Sequence, residues 1–430
     1  MKTYSISEWG YLPLRSEAKP DGVSEADAAG LYKVAQSQQA LLGLRGSRIL
    51  EFHHNGLRAQ QVVGVLVTDN CRLEILPKID DEGGQIARRS LVQMLMRVIQ
   101  LRISSSGATK LDLQEDDILE ILIRYFAQQL FQAVHRGLSR NYNLIEADLP
   151  SLRGQLNVTR QLTKFAATPN LLSCRFDEFS SDTPLNQILK AAVLHLARIT
   201  RSAANKRMLL ELRYPFEEVT DISPSDPLPG KRVRIDRTNA SYRELFELAL
   251  MFLSSRSQTV YSGIGQGYSL LFEMNTLFEE FVARSLQRLS ARLDVIVTPQ
   301  GPKSHVLRDQ TGQRVFQTIP DMHLVSKRSN SCLIVDTKWK RLDGSADGAT
   351  LGVSSSDIYQ MMAYAEVYDA KTVLLLYPHS ASASAQPGLL KRFRTTTSDK
   401  EIIVGTLSLS HIGSVDCQLT SLLESIEWTA

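Results

Sequence analysis

Two short runs that are almost entirely apolar, Cys332–Val335 and Thr372–Pro378, constrain the fold more than any other feature of the sequence. A strand with one solvated face alternates polar and apolar residues, whereas a strand buried on both faces is apolar throughout. Both runs are therefore expected to be central strands of a sheet. A helical pattern over Ser355–Tyr368 separates them. The order helix, hairpin, strand, helix, strand predicts an α/β domain with a central mixed sheet over residues 241–430.

The preceding part of the chain has a different pattern. Residues 48–79 consist of strand-like runs separated by turn signals, and residues 1–110 are predicted to be a β-rich amino-terminal region. Helical periodicity covers Asp116–His135 and Pro184–Arg201, which lie in a helical middle region over 111–240 that ends in a proline-rich linker. The whole chain is thus expected to be α+β, with the α/β domain last.

Composition excludes several classes of protein. The formal net charge of +3 neither requires nor rules out a nucleic-acid partner. The 4 cysteines are widely spaced without a C-x-x-C pair, which argues against a zinc site or a disulfide scaffold. No stretch reaches the roughly 18 consecutive apolar residues of a membrane span. We therefore expect a cytoplasmic protein with no membrane segment.

The chemistry is expected at the ends of a hairpin that includes the first apolar run. Asp321 precedes one strand of this hairpin, whereas Asp336 and Lys338 end the other. Residues two apart in a strand share a face, so Asp336 and Lys338 are expected to project together, with Asp321 alongside. Two close carboxylates repel each other unless a cation lies between them, and oxygen ligands suit Mg²⁺ or Mn²⁺. A lysine beside such a metal can orient water and offset charge on a phosphate, which predicts phosphodiester hydrolysis.

Each of these residues also has a simpler interpretation. Acids and lysines at strand ends often form exposed salt bridges worth less than about 1 kcal/mol. Glu279 flanks the apolar stripe of a predicted helix, where it either approaches the metal or is solvated. Gln360 and Tyr364 are four residues apart on one helix face, where they contact a nucleic-acid backbone, brace Lys338, or are ordinary surface residues.

Taken in order, Glu279, Asp321, Asp336-x-Lys338 and Gln360-x-x-x-Tyr364 resemble the pattern of the PD-(D/E)xK nuclease superfamily. A more extensive resemblance covers residues 48–380. The segments that resemble the McrC family, the nuclease subunits of 5-methylcytosine restriction systems, are "LEILPKI", "RGLSRNYNLIEADLPSLRGQL", "CRFDEFSSDTPLNQILKAAVLHL", "LFEMNTLFEEFV", "IPDMHL", "VDTKWK" and "DIYQMMAYAEVY". Trp339 departs from the family, which usually has tyrosine there.

This resemblance implies a metal-dependent DNA endonuclease subunit that is activated by an McrB-like AAA+ GTPase hexamer. The implied substrate is double-stranded DNA that is methylated or otherwise modified. The implied catalytic residues are Asp321, Asp336, Lys338 and Glu279, with Gln360 and Tyr364 in support. We expect Mg²⁺, with Mn²⁺ as an alternative, to be held by the three acids and the Thr337 carbonyl. The strands from Arg48 to Ile79 are the predicted partner-docking surface.

The chain lacks a Walker A motif, so it is expected to bind no nucleotide itself, and Gly263–Gly267 is predicted to be a loop. Alternatives remain open for a basic run and for the function as a whole. A basic run, Lys231 to Arg237, either contacts DNA phosphates or is a solvated linker. The rival function is a non-catalytic adaptor that anchors or stimulates an AAA+ ring and retains the nuclease fold as a scaffold.

Overall fold

The computed structural model describes residues 2–15, 21–39, 49–79, 84–99, 117–164, 170–222, 233–254, 267–342, 350–380, 386–396 and 398–428. The chain divides into two compact units, one of residues 1–119 with 264–430 and one of residues 120–263. The division into 1–110, 111–240 and 241–430 stays a prediction. Gly263, Gly265, Lys231 and Arg232 lie outside the described residues, as do the predicted docking residue Arg48 and the helix start at Asp116.

The amino-terminal part of the first unit contains two small sheets. Its elements are β1 (Lys2–Ser7), β2 (Tyr11–Pro13), α1 (Glu25–Gln39), β3 (Leu50–His53), β4 (Gly56–Ala59), β5 (Val62–Val67), β6 (Cys71–Leu76) and α2 (Gly84–Val98). Strands β5 and β6 are buried at every position, because α1 and the neighbouring strands form an apolar core around them.

The second unit combines helices with a three-stranded sheet. Its elements, of which the first begins two residues before the boundary, are α3 (Ile118–His135), β7 (Asn141–Leu149), β8 (Gln155–Leu156), α4 (Val158–Lys164), β9 (Leu172–Ser180), α5 (Pro184–Ile199), α6 (Ala203–Glu211) and α7 (Arg243–Ser254), with 3₁₀ turns at Tyr214–Phe216 and Ala240–Tyr242. The side chain of Thr183 caps α5 by accepting from the Asn186 amide, and Pro184 occupies the first turn.

The carboxyl-terminal part of the first unit is the predicted α/β region. Its elements are β10 (Tyr268–Glu273), α8 (Met274–Leu293), β11 (Val295–Pro299), β12 (Ser304–Arg308), β13 (Arg314–Thr318), β14 (Met322–Ser326), β15 (Cys332–Thr337), α9 (Ser355–Val367), β16 (Thr372–Pro378), β17 (Gly388–Arg394), β18 (Glu401–Leu407), a 3₁₀ turn (Ile412–Ser414) and α10 (Val415–Ile426). Among the described strands, the central sheet has the order β11-β14-β15-β16-β18-β17.

The predicted α/β fold with a mixed carboxyl-terminal sheet is confirmed. Strand β16 runs parallel to both β15 and β18, whereas β14 is antiparallel to β15. Strands β15 and β16 occupy the middle of the sheet, and β16 is buried at every position. No described helix is long and apolar enough to span a membrane.

Strand β10 differs from the sequence-based expectation. The apolar run at Leu271 predicts an early helix start, but the chain remains extended to Glu273 because β10 pairs antiparallel with β5. It thereby completes the amino-terminal sheet β1-β6-β5-β10, and α8 begins at the next residue, Met274. The helix carrying Glu279 is therefore continuous with a strand of the amino-terminal sheet.

Candidate active site

The two aspartates predicted as metal ligands lie side by side at one edge of the central sheet. In the antiparallel pair β14–β15, Met322 is opposite Val335. Asp321, the residue before Met322, therefore lies opposite Asp336, the residue after Val335. The turn between these strands contains Asn330 in the left-handed region, with φ of 56°, which asparagine tolerates well. The proximity predicted from the hairpin is therefore present.

Asp321 is fixed by its neighbour on β15. Its Oδ2 atom accepts hydrogen bonds from the backbone amide and the hydroxyl of Thr337, both at 2.7 Å. The backbone carbonyl of Asp321 accepts from the amide of Gln300, also at 2.7 Å. These contacts hold the carboxylate without using the charge of a neighbouring cation.

Asp336 is the most deeply buried charge of the site, with no exposed surface. The Nζ atom of Lys338 lies 2.7 Å from its Oδ2 atom, whereas its Oδ1 atom has no hydrogen-bond partner among the described residues. Burial, followed by the charge of Asp321, raises the pKa of Asp336 to about 7. Burial opposes the charge of Lys338, but the surrounding carboxylates, Asp336 foremost, outweigh it and raise the Lys338 pKa.

Glu279 approaches the same group of charges from α8. Burial, and then the charge of Asp321, raises its pKa to about 7, and Lys338 acts in the opposite direction. The side-chain amide of Gln300 donates to Glu279 Oε1 at 3.1 Å, so Gln300 contacts both the helix acid and the backbone of Asp321. Glu280, next in sequence, is exposed. The structure thus brings Glu279 into the electrostatic range of the predicted site.

Gln360 and Tyr364 brace the approach to Asp321. The Gln360 side-chain amide donates to the Tyr364 hydroxyl at 2.8 Å, and that hydroxyl donates to the Ile319 carbonyl at 2.9 Å. Ile319 lies two residues before Asp321, and Tyr364 is only 3 % exposed. Of the three interpretations of this pair, the geometry favours a bracing contact, made with the strand entry rather than with Lys338.

Sequence reasoning misses the residues that surround Trp339. Its indole Nε1 donates to Glu8 Oε1 at 2.7 Å, across 331 residues of chain, and its ring packs edge-on against Phe278. Gln61 Nε2 lies 3.3 Å from the Trp339 carbonyl and 3.0 Å from Asn275 Oδ1. No local pattern marks Glu8 or Gln61, because their partners are distant in sequence.

The donor set fits a divalent cation that keeps open positions. Mg²⁺ binds proteins through one or two carboxylates and completes its shell with water and substrate phosphate oxygens. The buried carboxylate of Asp336, which only Lys338 among the described residues neutralises and which lies next to Asp321, suits that role. No group of three acids, histidines or cysteines among the described residues is arranged to hold a metal, so direct ligation by Glu279 stays a prediction, as does ligation by the Thr337 carbonyl.

Comparison with known proteins supports the resemblance. The family described as "McrBC 5-methylcytosine restriction system component" matches residues 57–378. The type IV methyl-directed restriction enzyme EcoKMcrBC of Escherichia coli K12 is 21% identical over 285 residues, covering 62% of this chain and 79% of that protein. A chain in a half-complex of Thermococcus gammatolerans McrB AAA+ hexamers with bound McrC is similar over 99% of this chain and 100% of its own, with a TM-score of 0.72 and 21% identity. A chain of the Thermococcus gammatolerans McrBC complex has 26% identity and a TM-score of 0.55 over 66% of this chain and 87% of its own.

Proposed function

The chain belongs to the McrBC 5-methylcytosine restriction system component family, and on this premise we propose that it is the Mg²⁺-dependent DNA endonuclease subunit of a modification-dependent restriction system. Its substrate is double-stranded DNA, methylated or otherwise modified, and its activity requires an McrB-like AAA+ hexamer. The single observation that carries this proposal is the buried carboxylate of Asp336, which lies opposite Asp321 and 2.7 Å from Lys338.

The acids and the lysine of the candidate active site have separate roles in phosphodiester hydrolysis. Asp321 and Asp336 would hold the cation, which when bound supplies positive charge to the phosphate oxygens. Lys338 remains protonated at neutral pH because its pKa is raised, so it acts as a donor that orients the attacking water or the phosphate. Glu279, with a pKa of about 7, can accept the proton that the water loses as its oxygen bonds to phosphorus. The ester bond then breaks, and the departing oxygen takes a proton from solvent water.

The rival role of a purely structural adaptor gains no support from this geometry. Lys338 compensates only one of the two neighbouring carboxylates, and burying the second negative charge next to it costs stability unless a further cation binds. A scaffold has no need of that arrangement. The proposal is tested by incubating methylated duplex DNA with the chain, its partner, GTP and Mg²⁺. Cleavage that disappears on chelation supports it, whereas retained cleavage in excess EDTA, or none under any condition, contradicts it.

Partner docking is proposed for exposed surfaces only. The predicted docking strands include β5 and β6, which are buried and cannot contact a partner directly. Around the sheet β2-β4-β3, Trp9, Tyr11 and Phe52 are exposed by 45 %, 40 % and 44 %. These apolar side chains keep an amino-terminal docking proposal, but they shift it from the strands between Arg48 and Ile79 to the β2-β4-β3 surface, which includes Trp9 and Tyr11 outside that range.

The unit of residues 120–263 offers a second candidate docking surface. Tyr142, Leu144 and Phe179 on its sheet are exposed by 68 %, 53 % and 53 %, and the Tyr142 and Phe179 rings are 5.0 Å apart. Stimulation of partner GTP hydrolysis separates the two surfaces. Trp9→Ser with Phe52→Ser should reduce stimulation if the amino-terminal surface docks, and Tyr142→Ser with Phe179→Ser should reduce it if the second does.

A further inference from the structure

The hairpin β12–β13 stands apart from the central sheet and is inserted directly before Asp321. Its two strands pair only with each other among the described strands. Its base is held by Tyr368, whose hydroxyl oxygen lies 2.7 Å from the Pro302 carbonyl and 2.9 Å from the Thr318 carbonyl. Gln300, which contacts Glu279, lies just before the hairpin. The hairpin is therefore anchored at the candidate active site, while most of its residues are exposed.

The charge of this hairpin is unbalanced. Arg308 is directly opposite Arg314 in the strand register, and neither forms an ion pair within the described part of the chain. Like charges at opposed positions of an antiparallel pair destabilise it. Lys303 and His305 add further basic groups. An arrangement that is unfavourable in the isolated protein becomes favourable when a polyanion neutralises it.

The acid of the hairpin is already used within its own turn. Asp309 Oδ1 accepts hydrogen bonds from the Thr311 amide at 2.9 Å, the Thr311 hydroxyl at 2.6 Å and the Gln313 amide at 2.8 Å. These bonds, that from the Thr311 hydroxyl foremost, lower the pKa of Asp309. Its carboxylate therefore shapes the turn and is not directed at the arginine pair.

Exposed apolar residues accompany the basic ones. Phe316 is 71 % exposed and Leu307 is 54 % exposed. Phe316 also has a φ of 58°, a left-handed conformation that is rare for a bulky residue and costs on the order of 1 kcal/mol or more.

We propose that β12–β13 is a DNA-contacting ribbon that binds the phosphate backbone of the duplex on one side of the bond being cut. This inference rests on the proposed function and specifies how its substrate is held. A two-stranded ribbon fits the major groove of B-DNA, and the guanidinium fork of arginine matches phosphate oxygens. The ribbon ends three residues before Asp321, and the arginine pair lies four residues further out, roughly 13 Å at about 3.3 Å per residue, so it would reach phosphates that flank the bond being cut.

The test compares two charge-matched double variants in the Asp336→Asn background, where DNA cleavage is expected to be strongly reduced. One carries Arg308→Gln and Arg314→Gln. The control carries Arg292→Gln and Lys371→Gln, which remove two exposed positive charges at the opposite edge of the central sheet. Duplex binding is measured by fluorescence anisotropy across a salt series. We expect the ribbon variant to bind about tenfold or more weakly, with a salt slope smaller by about 2, while the control behaves like its parent.

Thermal melting and cleavage complete the design. The ribbon variant should melt at or above the parent temperature, because the opposed arginines no longer repel each other. Unchanged DNA binding, or an equal loss in the control, overturns the proposal. So does normal DNA binding with loss of partner-stimulated GTP hydrolysis, which would assign the ribbon to a protein interface. If the ribbon variant loses binding but the wild type never cuts, the nuclease proposal fails and the ribbon stands. If the wild type cuts and the ribbon variant binds normally, only the ribbon fails.

Discussion

Lys338 and Asp336 form a partly buried ion pair: the ammonium lies 2.7 Å from a carboxylate that has no exposed surface. An ammonium cannot ligate a metal, but it competes with a metal for the same oxygens. We therefore predict that Lys338→Ala binds Mg²⁺ or Mn²⁺ at least as tightly as the wild type while cleavage falls by roughly a hundredfold or more. Isothermal titration and a nicking assay on the same preparation measure both effects. Loss of metal affinity in this variant would show that the assigned role is wrong.

The raised pKa values of Asp336 and Glu279 predict how the stability of the protein depends on pH. Burial, and then the charge of Asp321, raises the pKa values of Asp336 and Glu279 to about 7, far above the ordinary value of about 4 for an exposed acid. The metal-free folded state therefore binds more protons than the unfolded state between about pH 4 and 7. Its unfolding free energy should fall as the pH rises through that window. Mg²⁺ should raise the melting temperature more at pH 8 than at pH 5.5, and Asp336→Asn should weaken this difference. A metal effect that is equal at both pH values would contradict the assignment.

Strand alternation and the hairpin turn suffice to predict that Asp321, Asp336 and Lys338 meet. Those rules apply within a few residues of each position. They cannot identify Gln300 or Glu8, which reach the site through tertiary contacts. The pKa values of Asp336 and Glu279 likewise depend on burial. The strand pattern predicts that Asp336 is buried, but it does not predict how completely.

At the scale of the elements, α9 supports the hairpin that carries the acids. The Tyr364 hydroxyl connects Gln360 to the Ile319 carbonyl, two residues before Asp321. Tyr364→Phe removes this bridge while keeping the ring in the core. We predict that kcat falls about tenfold with unchanged Mg²⁺ affinity, and that the unfolding free energy falls by about 1 kcal/mol.

Tyr359→Phe is the matched control, since Tyr359 lies on the same helix but is 69 % exposed. It should match the wild type in both rate and stability. Wild-type kcat in Tyr364→Phe would mean that the hydroxyl contributes nothing to positioning Asp321.

The elements that the sequence predicts are those with an apolar pattern. Strands β15 and β16 are apolar runs and appear at their expected positions. The ribbon β12–β13 is not predicted, because an exposed hairpin has no buried face to impose alternation on its residues. Strand β10 is likewise mistaken for a helix start, since its partner β5 is about 200 residues away in sequence.

At the scale of the whole molecule, the amino-terminal sheet is part of the unit that contains the site. Strand β10 pairs with β5 and continues into the helix of Glu279, while Glu8 accepts a hydrogen bond from the residue after Lys338. Deleting residues 1–80 would expose β10 and the Trp339 indole, so this truncation should unfold the unit rather than isolate an activation defect. Point substitutions are the appropriate test of coupling.

Glu8 provides such a substitution. Burial raises its pKa, and its carboxylate fixes the Trp339 indole next to Lys338. We predict that Glu8→Ala lowers kcat about tenfold by freeing Trp339, whereas Glu8→Gln, whose carbonyl still accepts the indole hydrogen, restores most of it. Steady-state kinetics with assembled partner measure this, and KM for DNA should change little. Equal loss in both variants would indicate a purely structural role.

The central claim is that this chain cuts DNA with Asp321 and Asp336 around a divalent cation when its AAA+ partner is assembled on it. The most direct measurement is cleavage of methylated plasmid by wild type and by Asp336→Asn, each with partner, GTP and Mg²⁺, together with their melting curves. We predict partner-dependent cleavage by the wild type, a loss of roughly a hundredfold or more in the variant, and an unchanged or higher melting temperature because carboxylate repulsion is relieved. Full cleavage by Asp336→Asn, or efficient cleavage of unmodified plasmid without the partner, would contradict the account.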